Sequence, residues 1–185
     1  MKDAYIGIDL GITGAISAII GDKVLCVYDL PVKNAQTKSR IEKKIDAMRL
    51  MRTIEQIYIA IFYDHDCDSV HVCIEKTQAM RDTAITAFSM GQTKGIVEAV
   101  FELEMYSFGY PVHAMSSLDN SIHWIQPQEW KKHFNLIKAN KEDSRLMALS
   151  LYPNIAKELR CKKHHNRAES LLIADYGKFL LEKAL

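Results

Sequence analysis

Residues 5–20, YIGIDLGITGAISAII, decide the fold of this chain. The apolar run from Ala4 to Leu10 predicts a buried strand, and the glycines of residues 11–14 predict a tight turn after it. Ala15 to Ile20 and then Lys23 to Leu30 follow as two more predicted strands. Three short strands joined by tight turns indicate an antiparallel meander at the beginning of a sheet.

The rest of the chain alternates predicted strands and helices. In chain order these are a loop from Pro31 to about Arg40, a long amphipathic helix from Ile41 through Ile61, a fourth strand at Ser69–Glu75, a helix at Thr83–Glu104 with a possible break at Gly91 or Gly95, a fifth strand at Val112–Ala114 or Ser121–Ile125, a short helix opened by Pro127, a helix capped by Asn140, and a last helix from about His164. This order predicts an α/β fold, with a mixed five-stranded sheet and helices on both faces, in one domain over residues 1–185.

Composition restricts the class of protein. The chain has 185 residues, of which 48% are hydrophobic and 25% charged, so it is globular and neither disordered nor fibrous. Its four cysteines form no CxxC pair, which favours reduced thiols in the cytoplasm. An acid interrupts the apolar N-terminal run, and no apolar stretch is long enough to span a bilayer, so we expect neither a signal peptide nor a membrane partner.

A net charge of +1 conceals two basic stretches. Residues 33–52 contain seven Lys or Arg against two acids, and residues 157–167 contain five against one. Each stretch could contact nucleic acid phosphates, although a solvated helix face is the alternative for any single lysine.

Two acids end predicted strands. Asp9 follows the first strand and Glu75 ends the fourth, in VHVCIE. An ionised carboxylate beside a buried strand is costly unless something compensates it, although an Asp that only caps its turn is a simpler alternative for Asp9. If the two strands are neighbours, the carboxylates converge, and a divalent cation would relieve their repulsion.

A third candidate lies at the start of the last helix. His165 and Glu169 are four residues apart and therefore project from one face. A surface pair is the alternative for these two side chains. Together with Asp9 and Glu75 they would make a set of three carboxylates and one imidazole.

Several motifs resemble, in order, those of RuvC-like Holliday junction resolvases, which belong to the RNase H-like superfamily. These motifs are GIDLGITGAISAI, CIEKTQ and HHNRAESLLIADYG, with GQTKGIVEAVFE between them. The segments QPQEWKKHFNL and NKEDSRLMALSLYP are similar in particular to the small resolvases of bacteriophages. The resemblance covers residues 5–176 and implies an RNase H-like fold.

The resemblance also implies a site and a reaction. Asp9, Glu75 and Glu169 would be metal ligands, and Lys141 resembles a lysine near the catalytic site. The family usually has one more acid where this chain has His165 or Asn166, and imidazole is the better ligand of the two. The implied reaction is phosphodiester hydrolysis with two Mg²⁺ ions about 4 Å apart, Mn²⁺ being accepted as well.

Two symmetric nicks imply a homodimer, whose interface the resemblance places on residues 95–101; plain core packing is the alternative for that segment. The partner would be branched DNA, and the location the cytoplasm, that of the host if a phage encodes the chain. The candidate DNA contacts are Lys33, Lys38, Arg40, Lys43, Lys44, Lys131, Lys132, Lys162 and Lys163.

Other functions fit parts of the sequence. DLGITG also resembles the phosphate turn of actin-like kinases, but those enclose ATP between two domains, for which 185 residues are too few. A nuclease of the same fold could cut other branched DNA or an RNA–DNA hybrid, because reading of nucleic acid shape leaves no sequence motif. A protein that binds junctions without cutting them is the third alternative, should His165 fail as a ligand.

Overall fold

A mixed five-stranded sheet forms the centre of the computed structural model, which describes residues 2–36, 41–76, 83–108 and 122–184. Its strands are β1 (Asp3–Asp9), β2 (Ala15–Ile20), β3 (Lys23–Asp29), β6 (Ser69–Glu75) and β7 (Ile122–Ile125), in the spatial order β3-β2-β1-β6-β7. The first three strands pair antiparallel, whereas β1–β6 and β6–β7 pair parallel. The predicted meander and the predicted mixed sheet are therefore confirmed.

Helices cover both faces of this sheet. They are α1 (Ala47–Ile59), α2 (Ala84–Ser107), α3 (Pro127–His133), α4 (Lys141–Leu151) and α5 (His165–Ala184). One core lies between the sheet and α1 with α2, around Ile6, Ile54 and Phe101. The other lies between the sheet and the last three helices, around Trp130 and Leu172. Strands buried on both faces explain why β1 and β6 are almost continuously apolar.

A β-hairpin stands where a loop and a helix were predicted. β4 (Val32–Gln36) pairs antiparallel with β5 (Ile41–Ile45), so the predicted loop is wrong over residues 32–36, and the predicted helix start at Ile41 is wrong as well; residues 37–40 lie outside the described residues. The helix begins only at Ala47, because the side chain of Asp46 accepts a hydrogen bond from the backbone N–H of Arg49 and caps it. The apolar spacing beyond residue 47 belongs to α1, whereas Ile41 and Ile45 are the two end residues of β5.

The remaining element predictions have mixed outcomes. α2 runs unbroken past Gly91 and Gly95, so the predicted break is wrong. The edge strand β7 confirms the Ser121–Ile125 alternative for the fifth strand, and the Val112–Ala114 alternative lies outside the described residues. The caps predicted for α3 and α4 are confirmed, since Pro127 occupies the first turn of α3 and the side chain of Asn140 accepts hydrogen bonds at the start of α4. No helix among the described residues is long and apolar enough to cross a membrane.

Helix α5 packs directly on β1, and a glycine makes this approach possible. A Cβ atom placed on Gly7 would lie 2.0 Å from the backbone oxygen of Ser170 and 2.5 Å from the backbone nitrogen of Ala174. Only a residue without a side chain fits between strand and helix at this distance. The close packing fixes the first turns of α5, including Glu169, over the carboxyl end of β1.

Candidate active site

Two acidic side chains end neighbouring parallel strands. Ile8 of β1 is paired with Ile74 of β6, so the following residues, Asp9 and Glu75, leave the sheet at the same edge. Glu169 approaches this edge from α5, and its charge raises the pKa of both other carboxyls. The structure therefore brings together the three acids that the sequence singled out.

Asp9 is the most strongly perturbed of the three. Burial raises the pKa of its carboxyl well above the usual range, and the charges of Glu169 and Glu75 raise it further. None of the described residues donates a hydrogen bond to this carboxylate. The turn after β1 folds back closely on the Asp9 backbone, since a Cβ atom on Gly14 would lie 2.1 Å from the Asp9 backbone oxygen. A desolvated carboxylate among other acids favours a cation at this position.

Glu75 is held in place by a buried tryptophan. The indole Nε1 of Trp130, on α3, donates a hydrogen bond of 2.8 Å to Glu75 Oε2. Burial raises the pKa of the Glu75 carboxyl, and the hydrogen bond from Trp130 and the charge of Lys131 partly offset that increase. The indole thus orients one carboxylate oxygen and leaves the other available.

Glu169 has a similar support on α4. The hydroxyl of Ser144, which is buried, donates a hydrogen bond of 3.2 Å to Glu169 Oε1. Two lysines complete the electrostatics of the edge, because the charges of Lys131 and Lys141 both lower the pKa of the Asp9 carboxyl. Three carboxylates and two ammonium groups therefore share this edge of the sheet.

The structure turns His165 toward a lysine. Its Nε2 lies 3.2 Å from Lys141 Nζ, and its Nδ1 lies 3.3 Å from the backbone oxygen of Lys162. Because an ammonium group can only donate, Nε2 accepts and Nδ1 carries the proton. The lone pair of His165 is therefore engaged by Lys141. The alternative residue, Asn166, is also engaged, since its Nδ2 donates to the Thr13 side chain at 3.1 Å.

The chemistry of the donor set fits a hard divalent cation. Asp9, Glu75 and Glu169 supply oxygen ligands, which Mg²⁺ and Mn²⁺ prefer, and the mutual repulsion of the three acids would fall when a cation binds. Within the described residues, no three His, Cys, Asp or Glu side chains stand in the geometry of a ready-made metal site. The acids are thus a convergent group and not a closed coordination sphere.

The predicted DNA-contacting residues fall into three groups. Lys33, Lys43 and Lys44 lie on the β4–β5 hairpin, where Lys33 is paired directly with Lys44. Lys132 is exposed on α3, and Lys162 and Lys163 are exposed in the turn before α5. Lys131 instead belongs to the carboxylate edge. Lys38 and Arg40 lie outside the described residues.

Sequence reasoning missed the residues that support the acids. The sequence predicts Trp130 as a core residue, which is correct, but it does not predict the hydrogen bond to Glu75. A tryptophan in the first turns of a helix that follows an edge strand could have indicated such a hydrogen bond, because a buried indole N–H needs an acceptor. Ser144 offers no such signal, since nothing in its sequence surroundings distinguishes it from an ordinary helix serine.

Comparisons with known proteins agree with the architecture. No protein-family model matches the sequence, and no curated protein is similar to it. Among solved structures, Thermus thermophilus RuvC is similar at 17% identity, with a TM-score of 0.48 over 98% of this chain and 96% of that one. T. thermophilus RuvC in complex with Holliday junction substrate is similar at 17% identity, with a TM-score of 0.52 over 92% of this chain and 90% of that one. The chain therefore has the RuvC-like form of the RNase H-like fold, as predicted.

Proposed function

We propose that this chain is a metal-dependent, structure-selective endonuclease that resolves four-way DNA junctions by paired symmetric nicks. The observation that carries the proposal is the convergence of Asp9, Glu75 and Glu169 at one edge of a RuvC-like sheet, with Lys131 and Lys141 beside them. The solved RuvC complex with a Holliday junction supports the choice of substrate class. The resemblance to the small resolvases of bacteriophages supports the same choice.

In this proposal, Asp9, Glu75 and Glu169 hold Mg²⁺, with two ions in each site. The bound metal would supply positive charge to activate a water and to stabilise the leaving oxygen of the phosphodiester. The chain's own groups prepare the site, since Trp130 orients Glu75 and Ser144 orients Glu169. Mn²⁺ should also be accepted, because it takes the same oxygen ligands.

His165 is proposed as the fourth metal ligand. Lys141 is proposed to donate to His165 without metal and to release it when the metal binds. While Lys141 donates to Nε2, that nitrogen cannot bind a metal. Binding through Nε2 therefore requires the ammonium group to leave, and its natural destination is the scissile phosphate. Lys141 is well placed for such a change, because it is an exposed first residue of α4.

The basic groups outside the carboxylate edge are proposed as phosphate contacts. Lys33 and Lys44 face each other across the hairpin, and like charges in direct register repel. A phosphate between them would remove that repulsion. We extend the proposal to Lys43, Lys132, Lys162 and Lys163 and, as sequence predictions only, to Lys38 and Arg40.

Two nicks in opposing strands need two sites, so the proposal includes a homodimer. Val97, Val100 and Phe101 pack into the subunit's own core, and only the outward residues of the predicted interface segment are free for a partner. α2 does present Phe88, Leu103 and other large apolar side chains to solvent, which supports α2 as the interface. The expected location is the cytoplasm, that of the host if a phage encodes the chain.

End-labelled substrates test the proposal. A four-way junction, a linear duplex, a flap and an RNA–DNA hybrid are incubated with the protein in Mg²⁺ and in Mn²⁺, with Asp9→Asn as the inactive control. Paired symmetric nicks in the junction, lost in the variant while binding remains, are the expected result. Preferred cutting of the flap or hybrid would contradict the substrate assignment, and tight binding without any cutting would show a junction-binding protein instead.

A second arm tests the DNA surface. The proposal expects the Lys43→Ala/Lys44→Ala protein to bind the junction with a weaker salt dependence, its slope falling by about 1 for each phosphate that is no longer neutralised. Lys23, at the start of β3, is the matched control position, since it has not been assigned to DNA. Equal slopes for the double variant and the wild type would exclude the hairpin from the DNA surface.

A further inference from the structure

Two histidines face each other across the paired strands β6 and β7. His71, on β6, and His123, on the edge strand β7, are both half-buried. His71 Nδ1 and His123 Nε2 lie 3.4 Å apart. His71 is four residues from Glu75 along the strand, or about 13 Å. His123 is paired with Cys73, two residues before Glu75, but neither histidine contributes to the pKa shifts of Asp9 and Glu75, so the pair is separate from the proposed nuclease site.

A hydrogen-bonded chain fixes the tautomer of His71. Its Nε2 lies 3.4 Å from Ser69 Oγ, and the Ser69 hydroxyl donates to Asp3 Oδ1 at 2.6 Å. Because the Ser69 hydroxyl donates its hydrogen bond to the Asp3 carboxylate, the hydroxyl oxygen accepts one from His71 Nε2–H. The lone pair of His71 is then on Nδ1, which is the atom that faces His123. Metal-binding histidines are typically oriented in this way by a carboxylate or hydroxyl behind them.

The separation of the two nitrogens, 3.4 Å, suits a metal ion held between them. Two ring nitrogens on a tetrahedral ion with bonds of 2.0–2.1 Å lie about 3.3 Å apart. The two ring planes are tilted by 44°, and their centroids lie 5.6 Å apart.

The surroundings favour a cation and neutral imidazoles. Burial lowers the pKa of both His71 and His123, which leaves their lone pairs available at neutral pH. Tyr5 stacks on His71 at 5.3 Å, and its pKa is raised to about 12 by burial and by the negative charges of Asp3 and Glu182. Acidic groups on β1 and α5 thus face this corner of the sheet.

We propose that His71 and His123 form a second metal site, which takes a late first-row divalent ion such as Zn²⁺ or Ni²⁺ with solvent as the remaining ligands. Imidazole pairs select these ions over Mg²⁺. The ion would connect the edge strand β7 to β6 and so stabilise the strand that leads into α3. This proposal does not depend on the nuclease function.

Calorimetric titration with Zn²⁺ in excess Mg²⁺ tests it. We expect the wild type to bind one Zn²⁺ per chain. The affinity should be lost or fall by at least about tenfold in His123→Gln. It should fall by about tenfold in Ser69→Ala, because the Ser69 hydroxyl only orients His71. His65→Gln, which removes an exposed histidine elsewhere, should bind Zn²⁺ like the wild type. Unchanged binding in His123→Gln, or equal loss in His65→Gln, would overturn the proposal.

Imidazole NMR of the wild type covers the case in which His123→Gln does not fold. Zn²⁺ should shift the ¹⁵N resonances of His71 Nδ1 and His123 Nε2, and leave His71 Nε2 protonated toward Ser69. Zn²⁺ binding without these shifts would overturn the proposal as well.

Discussion

Replacing Trp130 by phenylalanine removes the hydrogen bond that positions Glu75 but keeps a buried aromatic ring. The bond is 2.8 Å long, and its acceptor is a half-buried carboxylate. Hydrogen bonds to charged groups contribute about 1.5–3 kcal/mol to stability. Phenylalanine also keeps a ring face for Lys131, whose Nζ lies 5.0 Å from the indole centroid.

A double-mutant cycle isolates this bond from the loss of indole packing. We expect a coupling of about 1.5–3 kcal/mol between Trp130→Phe and Glu75→Ala, because the packing loss is common to both sides of the cycle. With Glu75→Gln the coupling should fall to about 1–1.5 kcal/mol, since a neutral amide oxygen can still accept and only the difference between the charged and the neutral hydrogen bond is lost. The comparison separates the charge of Glu75 from its shape.

Urea denaturation in the presence of EDTA measures the cycle. At an m-value of about 2 kcal/mol/M, the coupling corresponds to about 0.8–1.5 M in the denaturation midpoint. EDTA is needed because a metal on Glu75 would add its own stabilisation to the wild type. A coupling below about 0.5 kcal/mol, which is the usual error of additivity, would refute the assigned role of Trp130.

Three further perturbations have defined outcomes. Asp9→Asn should stabilise the metal-free protein at neutral pH and not below about pH 4, since the raised pKa of Asp9 makes its ionised form costly only in the folded state. Urea denaturation midpoints measured against pH test this, and a variant less stable than the wild type at neutral pH would contradict it. Gly7→Ala should lower the free energy of unfolding by about 3 kcal/mol or more because α5 approaches β1 closely there. Gly91→Ala should raise it by about 0.5–1 kcal/mol, because Gly91 lies on an exposed turn of α2 with open space around it. Thermal melts distinguish the two, and equal effects would be inconsistent with the strand–helix packing. Arg167→Met should lower the free energy of unfolding by about 0.5–1 kcal/mol above pH 4, because the hydrogen bond from Arg167 lowers the pKa of Asp29. The difference should disappear as the pH falls through that lowered pKa. Identical pH profiles of stability for the variant and the wild type would show that the pair contributes nothing.

The convergence of the acids was predictable because it depends on strand pairing. Asp9 and Glu75 each follow an apolar run, and the carboxyl ends of parallel neighbours meet at one edge. The position of Glu169 required one more step, which is that α5 packs on β1. Short-range patterns in the sequence predict the candidate acids, and their convergence follows only once β1 and β6 are neighbours.

The orientation of His165 was not predictable in this way. It depends on Lys141, which belongs to another helix and lies 24 residues earlier in the chain. Helical spacing places the imidazole on the same face as Glu169 but says nothing of which group its lone pair meets. Tertiary packing decides this, and no local pattern records it.

The hairpin was missed for a different reason. Lysines and a glutamate separate its two apolar positions in Ile41–Ile45, so the strand buries little and its period resembled the start of the helix that follows. The backbone N–H of Asp46 also donates to the Pro31 oxygen at 2.8 Å beside the two strands, and the side-chain pattern does not report that contact.

The packing of α5 on β1 has a consequence for the newly made chain. Asp9 leaves the ribosome well before Glu169 and the helix that carries it have been synthesised. Contacts between residues so far apart in sequence form late in folding. A nascent chain, or one truncated before α5, would therefore present a sheet whose face is uncovered and whose acids are incomplete. Under the proposed function, a chain that lacks α5 also lacks Glu169 and would not cut DNA.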